Sequence, residues 1–232
     1  MCNAKYHRSE TFLEWPHLAK IRDKDSGPRG RDREGTERAI LGAAKALIAR
    51  EGYAAFGVNA VAREAGCDKQ LIYRYFGGTD GLVAAIGVAS AGWIESALAP
   101  VRLPPGRPYG DVALACVEAL LDALRADPLM RQLIGWELAS SDEAVQVMAR
   151  ARSAALGARV QPLLKSAAPP PAGADAPVLN ALLIGAVQQA AMSGSAQGGF
   201  VGMALQTDAD WMRLKAGLRA LVKGVYGTGD AA

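Results

Sequence analysis

From Thr36 onward, apolar residues recur at the spacing of one helical face. Ile40, Leu41, Ala44, Leu47 and Ile48 share that face, and Gly52 closes the run. A second helix is predicted over residues 59–65, with Val61 and Ala62 turned inward and Gly66 at its end. Asp68 then stands in the N-cap position of a third helix, residues 69–76, whose Leu71, Ile72 and Phe76 are available for burial. Three short helices, the last two joined by a glycine-containing turn, make helix-turn-helix geometry.

The same reading extends through the rest of the chain. A fourth helix is predicted from about Asp80 to Ala99, carrying Leu82, Ile86, Trp93, Ile94 and Leu98. The Pro-rich stretch 100–108 is a connection, and further helices are expected over 109–126, 128–140, 142–166, 175–194 and 207–226. Residues 167–177, with three consecutive prolines at 169–171, and residues 194–199 read as loops. The fold class is therefore all-α. Residues 1–30 have no sustained periodicity and end in the loop-like run Ser26-Gly27-Pro28-Arg29-Gly30, which predicts a flexible arm. This gives three regions: the arm 1–30, a helix-turn-helix domain 31–80, and a larger helical region 81–230.

Charge sharpens this division. The net charge is only +3, and residues 1–80 hold 14 Lys/Arg against 11 Asp/Glu, so the whole excess lies in the first third. That is where a nucleic-acid surface would want it, although solvated surface charge fits as well. Arg29, Arg31 and Arg33 are consistent either with a solvated tail or with an arm reaching into a minor groove.

Several classes of chemistry are disfavoured. Both histidines, His7 and His17, sit in the arm, so the remainder has no imidazole for a catalytic triad or a metal. No dinucleotide fingerprint, phosphate loop or EXXH-type ligand motif occurs, and neither enzyme activity nor a cofactor is expected. Cys2, Cys67 and Cys116 form no CxxC pair, which suits a reducing cytoplasm, and Cys67 reads as a small buried filler. No signal peptide is visible. The most apolar stretch, 178–192, is interrupted by Asn180, Gln188 and Gln189 and reads as a buried helix, so no membrane partner is expected.

The stretch from Ala39 to Leu82 resembles the DNA-binding domain of the TetR (tetracycline-repressor-like) family. The resemblance rests on Ile40-Leu41 with Ala43-Ala44, Gly52-Tyr53, Phe56, Val61-Ala62, Ala65-Gly66, Lys69, Tyr73, Tyr75-Phe76 and Leu82, without a gap. It covers about a fifth of the chain. It implies a ligand-responsive transcriptional regulator that binds a palindromic double-stranded DNA operator as a homodimer and represses by blocking it. A small, largely apolar effector would release it. A protein partner in place of a small molecule, and an enzyme built on a helical bundle, are the rival readings.

Within this frame Lys69 and Gln70 occupy the first turn of the recognition helix. Gln pairs with adenine through two hydrogen bonds, while Lys reaches guanine or a phosphate. Tyr73 and Tyr75 suit phosphate oxygens at the groove edge, with packing as the alternative for each. Arg63 and Arg74 are further candidates for backbone contact, and Thr79 with Gly78 offers a helix N-terminus to phosphate. Three departures from the family pattern stand out. Gly57 replaces a Ser or Thr cap, Leu71 stands where a small or hydroxylated residue often meets a base, and Gly77-Gly78-Thr79 lacks the usual lysines. Leu71 is left to touch a thymine methyl.

The resemblance also places ligand binding and dimerisation in the later helices. Trp93, Tyr109, Met130, Trp136, Glu137 and Met148 are candidate effector contacts, with Glu137 or Gln188 as the polar handle; the same residues would equally make core. The last two helices would pair with their symmetry mates through Leu179, Leu182, Leu183, Ala186 and Ala190, a stripe that a core helix would share.

Overall fold

The computed structural model describes residues 28–227, with side chains from Arg33 onward. Its helices are α1 (Pro28–Glu51), α2 (Val58–Ala65), α3 (Lys69–Phe76), α4 (Thr79–Leu98), α5 (Tyr109–Ala126), α6 (Pro128–Ala139), α7 (Glu143–Lys165), α8 (Ala176–Gln197) and α9 (Asp208–Tyr226). A 3₁₀ turn, Tyr53–Ala55, joins α1 to α2, and a short hairpin of β1 (Gly199–Phe200) and β2 (Met203–Ala204) joins α8 to α9. The fold is all-α in substance, with a helix-turn-helix at its N-terminal end and a helical remainder.

Packing divides the chain between Arg38 and Ala39. On the N-terminal side, Arg33 pairs with Glu37 at 2.9 Å and Arg38 donates to the Glu34 carbonyl at 3.2 Å, both within the helix. Here the expectation needs correcting. Pro28, Arg29 and Gly30, assigned to a flexible arm, begin α1. A proline fits the first helical turn, where its missing N–H has no intrahelical partner to lose, and ion pairs at i,i+4 support turns that carry no apolar stripe. The rest of the arm lies outside the described residues.

Beyond Ala39 one apolar core runs through the described residues. Ile40, Ala44, Leu47 and Ile48 of α1 join Val61 and Ala62 of α2, Ile72 of α3 and Leu82 of α4. α5 then forms the centre of the larger part, packing against α4, α7, α8 and α9, and it buries Val112, Ala113, Cys116, Val117, Leu120, Leu121 and Leu124. α4 lies along α7. α4 and α8 are both long and apolar enough to cross a membrane by length and composition, but α4 spends that apolarity on the core through Leu82, Val83, Ile86, Ile94 and Leu98.

Residues 194–199, expected as a loop, divide between helix and hairpin. α8 continues to Gln197 because Gly194 lets another side chain come close: a Cβ there would lie 2.7 Å from the Trp211 ring. Gly198, left-handed at φ 70°, then ends the helix. In the hairpin turn both Val201 (φ 47°) and Gly202 (φ 74°) have positive φ, the geometry of a tight two-residue connection.

Two further contacts fix the parts that matter below. At the α3–α4 corner, a Cβ on Gly81 would fall 1.6 Å from the Phe76 carbonyl oxygen, so the first turn of α4 sits on the end of α3 in a way only glycine permits. Between α6 and α7, Arg152 grips the Glu137 carboxylate. Its Nε lies 2.9 Å from each carboxylate oxygen and its Nη2 2.6 Å from Oε2, with side chains only 12% and 4% exposed. Gln146 of α7 adds hydrogen bonds from its amide to the carbonyls of Glu137 (3.0 Å) and Ser140 (2.7 Å).

Each contact sets a stability test by chemical denaturation. Alanine normally improves a helix over glycine by about 1 kcal/mol; Gly81→Ala is expected to reverse that sign and cost about 1–3 kcal/mol by overpacking. Glu137→Ala strands the Arg152 charge and is expected to cost about 3–5 kcal/mol, whereas Glu137→Met with Arg152→Met should restore most of the loss. Single and double variants of equal stability would show that the pair is not buried as described.

Candidate nucleic-acid interface

The candidate surface starts with how the chain closes α2 and opens α3. α2 begins after Gly57 without a side-chain cap, as its sequence predicts, and ends at Gly66 in the left-handed region. α3 is better defined. The Asp68 carboxylate accepts from the Gln70 amide at 2.8 Å, fixing the first turn. Arg50, in the last turn of α1, spans to α2 and meets Glu64 through two parallel hydrogen bonds of 2.9 and 2.8 Å. That guanidinium holds the Glu64 carboxyl below its usual range, and the carboxylates of Glu64 and Glu51 hold Arg50 charged.

α3 sorts the expected contact residues by face. Ile72 is fully buried, while Leu71, Tyr75 and Phe76 are half-buried and packed against the core. Lys69, Gln70, Tyr73 and Arg74 are exposed, as are Arg63 on α2 and Thr79 at the start of α4. The two tyrosines therefore differ. Tyr73 is 55% exposed, its ring resting against the Gly78 backbone, where a Cβ would sit 3.4 Å away. Tyr75 leans on the core and carries the Arg74 guanidinium 5.6 Å above its ring. Thr79 follows Gly78, a position that supplies no side-chain cap to the first turn of α4.

The expected effector residues are dispersed. Met130 and Met148 are core, Met148 lying against Gly87 of α4, and Trp93 is half-buried on α4. Glu137 is consumed by Arg152. Trp136 stacks on Tyr53 (6.0 Å between centroids, 4° between planes) and meets Phe56 at 5.2 Å, next to the helix-turn-helix. Tyr109 accepts from the Asn180 amide at 2.8 Å and packs on Tyr226, whose hydroxyl donates to the Asn180 side-chain oxygen at 3.0 Å. Burial pushes Tyr226 up to about 12, with Tyr109 and Asp175 adding to the effect.

A small apolar cavity lies elsewhere, and none of the six residues lines it. It measures about 20 Å³ and is walled by Leu98, Ala113, Cys116, Val117, Leu120, Leu156, Val160, Leu164 and Ile184, with Asn180 the one amide among them. Burial pushes the Cys116 thiol up to about 11, so this wall carries no charge near neutrality. Sequence reading missed Asn180, Arg152 and the cavity walls. Their signals are an apolar stripe, which every core helix shares, and polar residues whose partners lie far away along the chain.

The dimer candidates divide in the same way. Leu183 and Ala190 are buried within the protomer and Leu179 is half-buried; Leu182 (65% exposed) and Ala186 remain outside. Val178 of α8 and Met212 and Leu221 of α9 are exposed as well.

Four likenesses to known proteins accord with this geometry. Residues 40–86 match the family of bacterial regulatory proteins described as the tetR family. The HTH-type transcriptional repressor SCO4008 of Streptomyces coelicolor is 32% identical over 107 residues, 46% of this chain and 52% of that protein. The match thus spans about half of the relative's length. In three dimensions the chain is similar to the fatty acid degradation regulator FadR of Bacillus halodurans (TM-score 0.58, 16% identity, 87% of this chain and 97% of that one). It is equally similar to FadR of Bacillus subtilis in complex with stearoyl-CoA (TM-score 0.58, 16% identity, 82% and 98%). At these identities the structural likenesses show the fold.

Proposed function

We propose, since this chain belongs to the tetR family of bacterial regulatory proteins, that it is a cytoplasmic repressor which binds an operator as a homodimer and is released by a small apolar effector. Its relatives are regulators rather than enzymes. The observation that carries the reading is the exposed first turn of α3. Lys69 and Gln70 stand free of the core at a helix end fixed by the Asp68 cap, while Ile72 anchors the opposite face. A recognition helix needs this division, because base edges are read by side chains that are held in place yet have their polar ends unused.

The roles follow from exposure. Gln70 and Lys69 read bases at the entry to the major groove; Tyr73, Arg63 and Arg74 meet phosphates, and the amides of Thr79 and its neighbours in the first turn of α4 hold another. Leu71 and Tyr75 support the helix from the core side, which reduces their part in direct contact. Residues 31–80 form the DNA-binding domain and 81–230 the regulatory one. The exposed apolar residues of α8 and α9, Val178, Leu182, Met212 and Leu221, form the surface on which a second copy seats, setting two recognition helices on successive major grooves.

An apolar effector is supported by the cavity walls and by the stearoyl-CoA complex of the Bacillus subtilis neighbour. A space of about 20 Å³ admits no more than a water-sized group, so an effector enters only as the walls part. The bound form would then be a different packing of α4, α5, α7 and α8, and release a shift of population toward it.

The reading is tested by selecting duplexes from a random library and measuring fluorescence anisotropy at two salt concentrations. Gln70→Ala is expected to cost about 1–3 kcal/mol against the selected duplex and to relax preference at one base pair. Lys69→Ala should relax preference at a neighbouring base pair, and Tyr73→Ala should weaken every duplex alike. Equal binding to selected and random duplexes, unmoved by all three substitutions, would exclude a sequence-reading regulator.

A further inference from the structure

We infer that the groove between α5, α6, α8 and α9 is a binding site for a small aromatic carboxylate, its carboxylate taken by Arg131 and its ring laid on Arg125. The site stands apart from the regulator reading, since the groove shares no lining residue with the apolar cavity. It measures about 510 Å³, the size of a small-molecule site, where the cavity of about 20 Å³ admits no more than a water-sized group. Its walls are also of another kind: Asp122, Arg125, Arg131 and Ser195 line it together with Trp211.

Arg131 is half-buried in the first half of α6, and its Nη1 donates to the carbonyls of Leu124 (2.5 Å) and Arg125 (2.6 Å) at the end of α5. Those two bonds use the donors of Nη1 and leave Nε and Nη2, the edge on which a guanidinium presents two parallel N–H bonds to a carboxylate. Capping α5 thus needs one nitrogen, and the fork is surplus to it. Among the described residues no carboxylate forms an ion pair with Arg131. Burial lowers its pKa from the ordinary arginine value, and Asp127, the carboxylate that opposes this, has one oxygen committed to the Met130 amide at 3.0 Å. A guanidinium stripped of part of its water, with no counter-ion in contact, is stabilised by an anion that fits its free edge.

Arg125 supplies the flat surface. Its guanidinium lies over the Trp211 ring at 4.3 Å from the centroid, and Trp211 is itself pinned against Gly194, where a Cβ would fall 2.7 Å from the ring. With one face on Trp211, the plane of Arg125 is set before any ligand arrives, and its other face can carry a second ring. Its partner Asp208, at 3.2 Å, is 94% exposed and holds it weakly. Asp122, the acid on the groove wall, is neutralised by Lys215 at 2.6 Å, so the groove keeps a positive balance. At about 3.6 residues per turn, Gly194 and Ser195 lie on the side of α8 opposite Val178 and Leu182, so a second copy seated on those apolar residues approaches the other face of the helix.

Equilibrium dialysis of the full chain tests this with benzoate as the probe. Benzamide, which has the ring without the charge, and acetate, which has the charge without the ring, are the controls. One benzoate per protomer is expected, bound at least about tenfold more tightly than either control. Arg131→Lys keeps a charge and a donor for the α5 carbonyls but loses the fork, and should weaken benzoate about tenfold. Arg125→Lys should erase the preference for benzoate over acetate. Ser195→Phe, at an exposed position on the groove wall, fills the site and should abolish binding while leaving circular dichroism and melting temperature unchanged, which keeps the test decisive should Arg131→Lys fail to fold. Benzoate that does not bind at millimolar concentration, binds no better than benzamide, or binds Ser195→Phe as well as the native chain overturns the inference.

Discussion

The position of the recognition helix depends on one close approach, the first turn of α4 lying on the Phe76 carbonyl at the end of α3. Gly81 is the residue that allows it, since any Cβ would overlap that oxygen. The consequence reaches in two directions. Toward the DNA side, α3 cannot rotate about its axis without losing the burial of Ile72, so the exposure of Lys69 and Gln70 is set by the same corner. Toward the core, α4 leaves that corner with a fixed heading and lies along α7 for its length. A helix-turn-helix is often described by its two helices; in this chain the third contact, α3 on α4, decides where they point.

Charge does two kinds of work in this molecule, and burial separates them. The Arg50–Glu64 pair is well formed but open to water, where screening and side-chain entropy consume most of the Coulomb gain; its value is geometric, aligning α1 with α2. The Glu137–Arg152 pair is enclosed. Its desolvation cost is large, and a well-packed apolar pair would make α6 and α7 no less stable. What the ions supply is register: a bidentate contact between two helices permits one relative setting, while apolar side chains permit several.

Local rules explain why so much of the helix-turn-helix was legible and so little of the regulatory site. Asp68 is a cap two residues from the amide that donates to it, and Gly66 and Gly77 end helices through their own backbone angles; such signals travel only a few residues. The helix limits from α2 to α9 follow from the same short-range chemistry. The start of α1 was misplaced because the sequence before Ala39 has no apolar stripe, and residues 194–199 because Gly194 is explained by Trp211 and Leu205, eleven or more positions on. The apolar residues proposed for a pocket carried no address. Trp136 and Met130 have the composition of a ligand site, yet one joins an aromatic stack and the other the core, and only the tertiary partners decide between these fates.

The small size of the cavity bears on how such a protein can be switched. A pocket formed equally in two states would shift no equilibrium between them, since only a difference in affinity does that. A seam of about 20 Å³ would impose that difference on any apolar ligand larger than water, because it holds one only after its walls have parted. α7 cannot withdraw from the seam freely. Met148 bears on Gly87 of α4, and Arg152 holds α6, so the helix is tethered toward the DNA-binding part at two separated points. Both tethers lead to helices that reach the helix-turn-helix, α4 through its covalent link to α3 and α6 through the stack of Trp136 on Tyr53.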